Sequence, residues 1–175
     1  IMVRKAESAS AAVSRYSEAA DLPVHIDPYR PEDRDAVEAL LVELDGEHAD
    51  RVPDHMTRLL ALVASDAAAI LVARDPAHGR PIAALTLERI YWNATSYVQD
   101  LIVHDGFRNS GIGAALLEAS CGISRAWGCR RLYLTTSVRN RPAQRFYLRH
   151  GFVPEGIRPD WSAAGDHEMS LYLDL

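Results

Sequence analysis

Cysteine is scarce in this chain. Only Cys121 and Cys129 occur among its 175 residues, both on or just past one helical stretch. Eight residues of helix, at about 1.5 Å each, hold them roughly 12 Å apart, beyond the reach of a disulfide. Two free thiols suit a reducing cytosol, so a cytoplasmic protein is expected. The seven histidines are scattered singly, with no His-x-x-x-His or Cys-x-x-Cys spacing, and no metal site is expected. No apolar run approaches the roughly 20 residues of a membrane span, and no repeat is present. Positive charge is in deficit: the formal balance of −5 argues against nonspecific nucleic-acid binding and leaves room for a cationic substrate.

What remains is an ordinary soluble composition, 48% apolar and 25% charged, of a length that suits one domain. The informative stretch runs from Tyr97 to Trp127. Its first third, Tyr97-Val-Gln-Asp-Leu-Ile-Val103, has no helical period and reads as a strand buried on both faces. Its last third places Ile112, Ala115, Leu116, Ala119, Ile123 and Trp127 on one helix face. Between them, Arg108-Asn-Ser-Gly-Ile-Gly-Ala114 opens directly into that helix. Such a turn leaves backbone N–H groups bare at an electropositive helix end. Gly111 and Gly113 would let phosphates approach the main chain, with Arg108 at the mouth. Taken alone, the glycines fit a phosphate cradle or a plain strand-to-helix turn equally well. The dinucleotide fingerprint is absent, because Leu116 stands where its third glycine belongs, and no Gly-Lys-Ser/Thr of a P-loop follows.

Residues 1–22 read as an appendage, either a short helix facing Val13, Tyr16 and Ala20 to one side or a disordered segment. Ile1 ahead of Met2 has the look of an added residue, and no continuous apolar core of a signal peptide follows Arg4 and Lys5. Residues 23–175 are expected to form one domain. Val24 to Tyr29 suggests a first strand, and Arg30-Pro31-Glu32-Asp33 starts a helix that Gly46 ends. A second helix spans Asp54 to about Ala64. Strands follow at Ala69–Arg74 and Pro81–Ile90, joined by a hairpin turn through Asp75 to Gly79. After the central strand and helix come a strand from Arg131 to Val138 and a helix from Pro142 to His150. Two closing strands are expected at Phe152-Val153 and Glu168–Asp174.

Arg108-x-x-Gly111-x-Gly113-Ala114 after Leu101-Ile-Val103 resembles the acyl-CoA loop of the GNAT superfamily of N-acyltransferases. Leu132 to Phe152, with Asn140, Ala143, Phe146-Tyr147 and Gly151-Phe152, resembles that family's second signature. Asn109 stands where glycine is frequent and Ser110 where a basic residue often sits, departures that weaken phosphate binding slightly at most. The likeness covers roughly residues 24–175. It implies an α/β (α+β) fold with a mixed, mostly antiparallel central sheet, flanked by helices and splayed where acyl-CoA binds.

The resemblance also implies acetyl transfer from acetyl-CoA, without a metal, to a primary amine. Leu101, Ile102 and Val103 would present a backbone N–H to the acyl carbonyl. Arg108, Asn109, Ser110, Gly111, Ile112, Gly113 and Ala114 would hold the pyrophosphate. Asn140 would contact the pantetheine region or an ordered water, Ala143, Phe146 and Tyr147 would also bind the cofactor, and Tyr147 would protonate the departing thiolate. Composition alone would read Tyr147 as a core tyrosine. Asp100 and Glu88 are the candidate bases, and each reads equally well as a structural carboxylate. His104 and His150 read as surface residues.

The acceptor loops of such a fold carry Asp45, Glu47, Asp50 and Asp54, then Glu155, Asp160, Asp166 and Glu168. They fit either a small cationic amine or a merely solvated surface. Trp92 and Trp161 would line that pocket or pack beneath it. Acetylation of a protein N-terminus or lysine, and acyl-CoA binding without turnover, are the alternatives. Members of the family often form dimers, which leaves a homodimer open, with no interface legible.

Overall fold

The structure, a computed structural model, describes residues 24–161 and 163–175. The side chains of Asp45 and Glu47 fall outside that description, as does the expected appendage. Seven strands form one sheet in the order β1-β2-β3-β4-β5-β7-β6. They are β1 (His25–Pro28), β2 (Ala68–Arg74), β3 (Pro81–Ile90), β4 (Thr95–Val103), β5 (Arg131–Ser137), β6 (Val153–Arg158) and β7 (Glu168–Asp174). Four α-helices join them: α1 (Arg34–Asp45), α2 (Val52–Ala64), α3 (Ile112–Ala126) and α4 (Arg141–Arg149). All neighbours are antiparallel except β4 and β5, so the expected sheet and element order are observed.

Strand alternation sends side chains to opposite faces and builds two cores. On one face Ile70, Val72, Ala84 and Ile102 meet Val37, Leu40 and Leu41 of α1 and Val52, Met56 and Leu59 of α2. On the other, Leu71, Ala73, Leu85, Leu132 and Leu171 meet Ile112, Leu116, Ala119 and Ile123 of α3. Each large side chain so buried contributes roughly 1.5–3 kcal/mol. Helix ends follow sequence chemistry. Gly46 closes α1 with φ 54°, and Asn140 caps α4 by accepting the Ala143 N–H at 3.1 Å.

A buried ion cluster ties β1 to β2. Arg74 donates to Asp33 through Nη1 and Nη2, both at 2.8 Å, and to Asp27 through Nε at 2.8 Å. Asp33 also accepts the Arg30 N–H at 2.8 Å.

Two sequence expectations need correcting. β6 runs to Arg158, well past Phe152-Val153, because it pairs with β7 as far as Arg158↔Glu168. Pro154 and Gly156 straddle a register shift there, and these two residue types mask a strand pattern. β4 is also not buried on both faces: Tyr97, Gln99, Asp100 and Leu101 are half-buried because they border a cleft.

Candidate active site

β4 and β5 pair only across Thr95–Arg131, Ser96–Leu132 and Tyr97–Tyr133. Beyond Tyr97 the parallel strands part, while β3 and β7 hold their outer edges. Backbone groups facing the gap therefore lack ladder partners across it and are available to a ligand. The gap opens into a cleft of about 770 Å³. One wall is built from α1, α2, β3 and β4 (Leu44, Arg58, Glu88, Asp100). The other is built from β5, α4, β6 and β7 (Thr135, Asn140, Tyr147, Glu168).

The parting follows a bulge. Thr86 pairs with Asp100 but Leu87 with Val98, so Gln99 is an extra residue in β4. A bulge bends the strand and re-aims its side chains, and here Gln99 and Asp100 both border the cleft. Asp100 is held from behind: the buried Thr86 hydroxyl donates to its Oδ2, and His55 Nε2 lies 2.8 Å from the same oxygen. Glu88 is held alike, its Oε2 accepting from Arg58 Nη2 at 2.6 Å and Gln99 Nε2 at 2.8 Å. Both candidate bases thus take these bonds on one oxygen.

On the facing wall Tyr147 is buried, its ring 5.2 Å from Phe146 and 5.7 Å from Phe152. Burial pushes its phenol well above the usual range, and the charges of Asp100 and Tyr97 push the same way. The hydroxyl therefore keeps its proton across any working pH. Tyr97 also lines the cleft; burial raises its phenol, outweighing the opposing bond it gives Thr135 Oγ1 at 2.9 Å.

The predicted phosphate loop has the expected form. Asn109 (φ 60°) and Gly111 (φ 86°) are both left-handed, which turns the chain into α3. Gly111 has its reason in that φ, since an added Cβ would meet nothing within 4 Å. Gly113 has none of that strain; a Cβ there would rest 3.6 Å from the Phe146 ring. The first turn of α3 carries no acid and its N-cap supplies no side-chain bond. Among the described residues nothing compensates the N–H groups of Ile112, Gly113 and Ala114 or the positive dipole end, so that an anion could be held there. Arg108 is turned to protein partners: Asp105 at 2.6 Å, Glu43 at 3.4 Å and the Val103 carbonyl at 3.0 Å.

Of the expected acceptor acids, Glu168 lines the cleft, whereas Asp50, Asp54, Glu155, Asp160 and Asp166 do not. Trp161 lines it, while Trp92 stands 87% exposed in the turn after β3. The acceptor side carries two cations that the sequence reading passed over, Arg58 and Arg158. His55 was missed too. Nothing within α2 marks it, because its meaning lies in a contact 45 residues away.

Residues 31–152 match the family model described as "Acetyltransferase (GNAT) family". The chain belongs to that family. Among curated proteins it is similar to glucosamine 6-phosphate N-acetyltransferase of Trypanosoma brucei brucei, at 36% identity over 47% of this chain and 46% of that protein. The match thus spans less than half of that relative's length. Among solved structures it resembles a GNAT-family protein from Desulfovibrio desulfuricans, with a TM-score of 0.74 and 24% identity over 86% of this chain and 98% of that one. A GNAT family acetyltransferase from Elizabethkingia anophelis, solved with acetyl-CoA bound, gives a TM-score of 0.67 at 18% identity over 87% and 98%. These two likenesses speak to fold. Among the described residues no helix is long and apolar enough to cross a membrane.

Proposed function

We propose that this protein is an acetyl-CoA-dependent N-acetyltransferase acting on the primary amine of a small molecule. The observation that carries the reading is the parted β4–β5 pair, with Asp100 on one wall, Tyr147 on the other and the uncompensated α3 N-terminus beside them. Family membership and a relative named for N-acetylation of an amino sugar phosphate support it.

When bound, acetyl-CoA supplies an activated thioester. The first N–H groups of α3 would hold its pyrophosphate, Asn140 and Ala143 would border its pantetheine arm, and Phe146 would back the loop at Gly113. Asp100, whose Oδ2 is anchored by Thr86 and His55, takes a proton from the incoming ammonium through its other oxygen, directly or through water. Glu88 draws the cation in. The main chain of Leu101 to Val103 donates an N–H to the carbonyl oxygen as charge builds there. Tyr147 then donates to the departing sulfur. Ordinary values near 10 for a phenol and about 8.5 for a thiol already make full transfer uphill. The upward push on Tyr147 makes it more so, and its main contribution is a hydrogen bond that strengthens as thiolate charge develops.

Thiol release from acetyl-CoA across polyamines, amino sugars, amino acids and short peptides tests the reading. Release with a small amine supports it. Release with peptides alone transfers the activity to protein substrates, and silence with acetyl-CoA binding intact leaves only a binding module.

A further inference from the structure

Among the described residues, the cleft holds a cation that pairs with no carboxylate. Arg158 ends β6 and lines the wall opposite Glu88 and Asp100. Among the described residues its guanidinium makes no ion pair within 4.0 Å, in contrast to Arg58, whose Nη2 lies 2.6 Å from Glu88. Glu168 faces Arg158 in the β6–β7 register and feels its charge without pairing to it. Instead, the Arg158 guanidinium carbon stands 4.5 Å from the centre of the Trp161 ring. Stacking covers a guanidinium's face and leaves its N–H edge free, and that edge is a planar fork matched to carboxylate or phosphate oxygens. An indole prop also limits the rotamer freedom such a fork loses on binding.

Across the cleft the charges are reversed. Glu88 and Asp100 receive their protein hydrogen bonds on single oxygens and face the gap from the β3–β4 wall. The lining thus sets Asp100 and the Arg58-paired Glu88 on one wall against Arg158, with Glu168 beside it, on the other, which suits a dipolar ligand better than a polycation. We infer that the acceptor is an amine that also carries an anionic group, carboxylate or phosphate, gripped by Arg158 on its Trp161 prop while Glu88 and Asp100 face the amine. This inference rests on the acetyl-transfer reading and narrows its substrate class. It replaces the cationic acceptor suggested by the loop acids, most of which lie away from the cleft.

The test compares kcat/KM from thiol release for matched acceptors. These are an α-amino acid against its amide, an amino sugar phosphate against the unphosphorylated amino sugar, and a diamine. Wild type is set beside Arg158→Gln, Arg158→Lys and Trp161→Ala, each checked for its unfolding midpoint. An anionic acceptor is expected to exceed its neutral partner by about tenfold or more in wild type, the size of one desolvated charge-assisted bond. Arg158→Gln should erase that ratio, raising the KM for the anionic acceptor far more than that for acetyl-CoA. Arg158→Lys should keep part of it, and Trp161→Ala, which keeps the charge, should shrink it less than Arg158→Gln does. Preference for the carboxylate or the phosphate arm identifies the group. A wild type that favours the amide, the bare amino sugar or the diamine overturns the inference while leaving acetyl transfer standing. An Arg158→Gln enzyme that keeps the anionic preference does the same. Silence with every acceptor overturns the acetyl-transfer reading and this inference with it.

Discussion

Asp27 and Asp33 meet Arg74 where β1 joins β2; Glu88 and Asp100 meet Arg58 and His55 where β4 leaves β5. Both groups set buried or half-buried acids against basic side chains, and the geometry separates them. Both oxygens of Asp33 are taken, Oδ1 by Arg74 and Oδ2 by Arg74 and the Arg30 N–H. Those of Asp27 are taken by Arg74 and Arg30 at Oδ2 and by His25 at Oδ1. In the cleft, Asp100 takes both bonds on Oδ2 and Glu88 both on Oε2. A saturated cluster has nothing left to offer a ligand. A half-saturated one on a cleft wall is oriented and still able to accept a proton. The number of committed oxygens, more than burial, separates an acid wholly engaged by the fold from one with an oxygen left for a ligand.

The largest effects should fall on opposite observables. Arg74→Met leaves two acids without their shared cation and should cost about 3–5 kcal/mol in urea unfolding. The kcat of the protein that remains folded should stay close to wild type. Asp100→Asn should instead lower kcat/KM on the order of 10³-fold, in the range for a lost proton acceptor, while shifting stability little. If Asp100→Asn cost several kcal/mol of stability while the folded fraction kept its turnover, the two clusters would have to exchange roles.

Tyr147→Phe should come next, with kcat down on the order of 10²-fold, the low end for a proton donor, and acetyl-CoA affinity nearly unchanged. The ring contacts with Phe146 and Phe152 survive the change, so the unfolding midpoint should barely move. Unaltered kcat at saturating substrate would return Tyr147 to the core-tyrosine reading.

The elements that position this site were legible in the sequence where local chemistry dictates them. The period of α3, the Asn140-Arg-Pro142 cap of α4 and the Gly111 turn each depend on neighbours a few residues apart. Their residues could be placed before any contact was known. Both candidate carboxylates, Glu88 and Asp100, could be placed because they lie on the strands that build the wall. What sequence could not show was which oxygen of Asp100 is committed, since Thr86 and His55 reach it from 14 and 45 residues away. Which loop acids face the acceptor was hidden for a related reason. Position along a loop does not show it, since a cleft is lined by whichever side chains the strands and helices turn inward. Arg158 was hidden further by the Pro154 and Gly156 that disguise its strand.

Acid titration sharpens the same contrast. Burial alone would raise the Asp33 carboxyl, but the Arg74 hydrogen bonds and the Arg30 N–H outweigh it and hold the group below the usual carboxylate range. The unfolded chain, with a value near 3.9, then binds the proton more readily than the folded one. The stabilisation is therefore complete above that value and drains away as pH falls through the folded one. Unfolding free energy measured from pH 5 downward should decline, and Asp33→Asn should flatten that decline. An unchanged slope would mean that other carboxylates carry the acid sensitivity.

Glu168 supplies the smallest effect, and the sign is reversed. Burial raises its carboxyl, and the charge of Asp166 adds to that, against a hydrogen bond with Thr135 and the charge of Arg158. Its folded value lies above the unfolded one, so its contribution to stability is full below about 4.3 and is lost as pH rises through the folded value. At neutral pH the ionised group on the cleft wall is then a net cost to the fold. Glu168→Gln should raise the Tm slightly at pH 7, and the gain should vanish near pH 4, where the wild-type group is also neutral. A gain of equal size at both pH values would trace to packing instead of charge. The same substitution removes a negative charge that faces Arg158 in register and should raise kcat/KM for an acceptor carrying an anionic group, so that stability and turnover rise together. At the Arg74 cluster, removing a charged group costs stability alone, because there every charge already serves the fold.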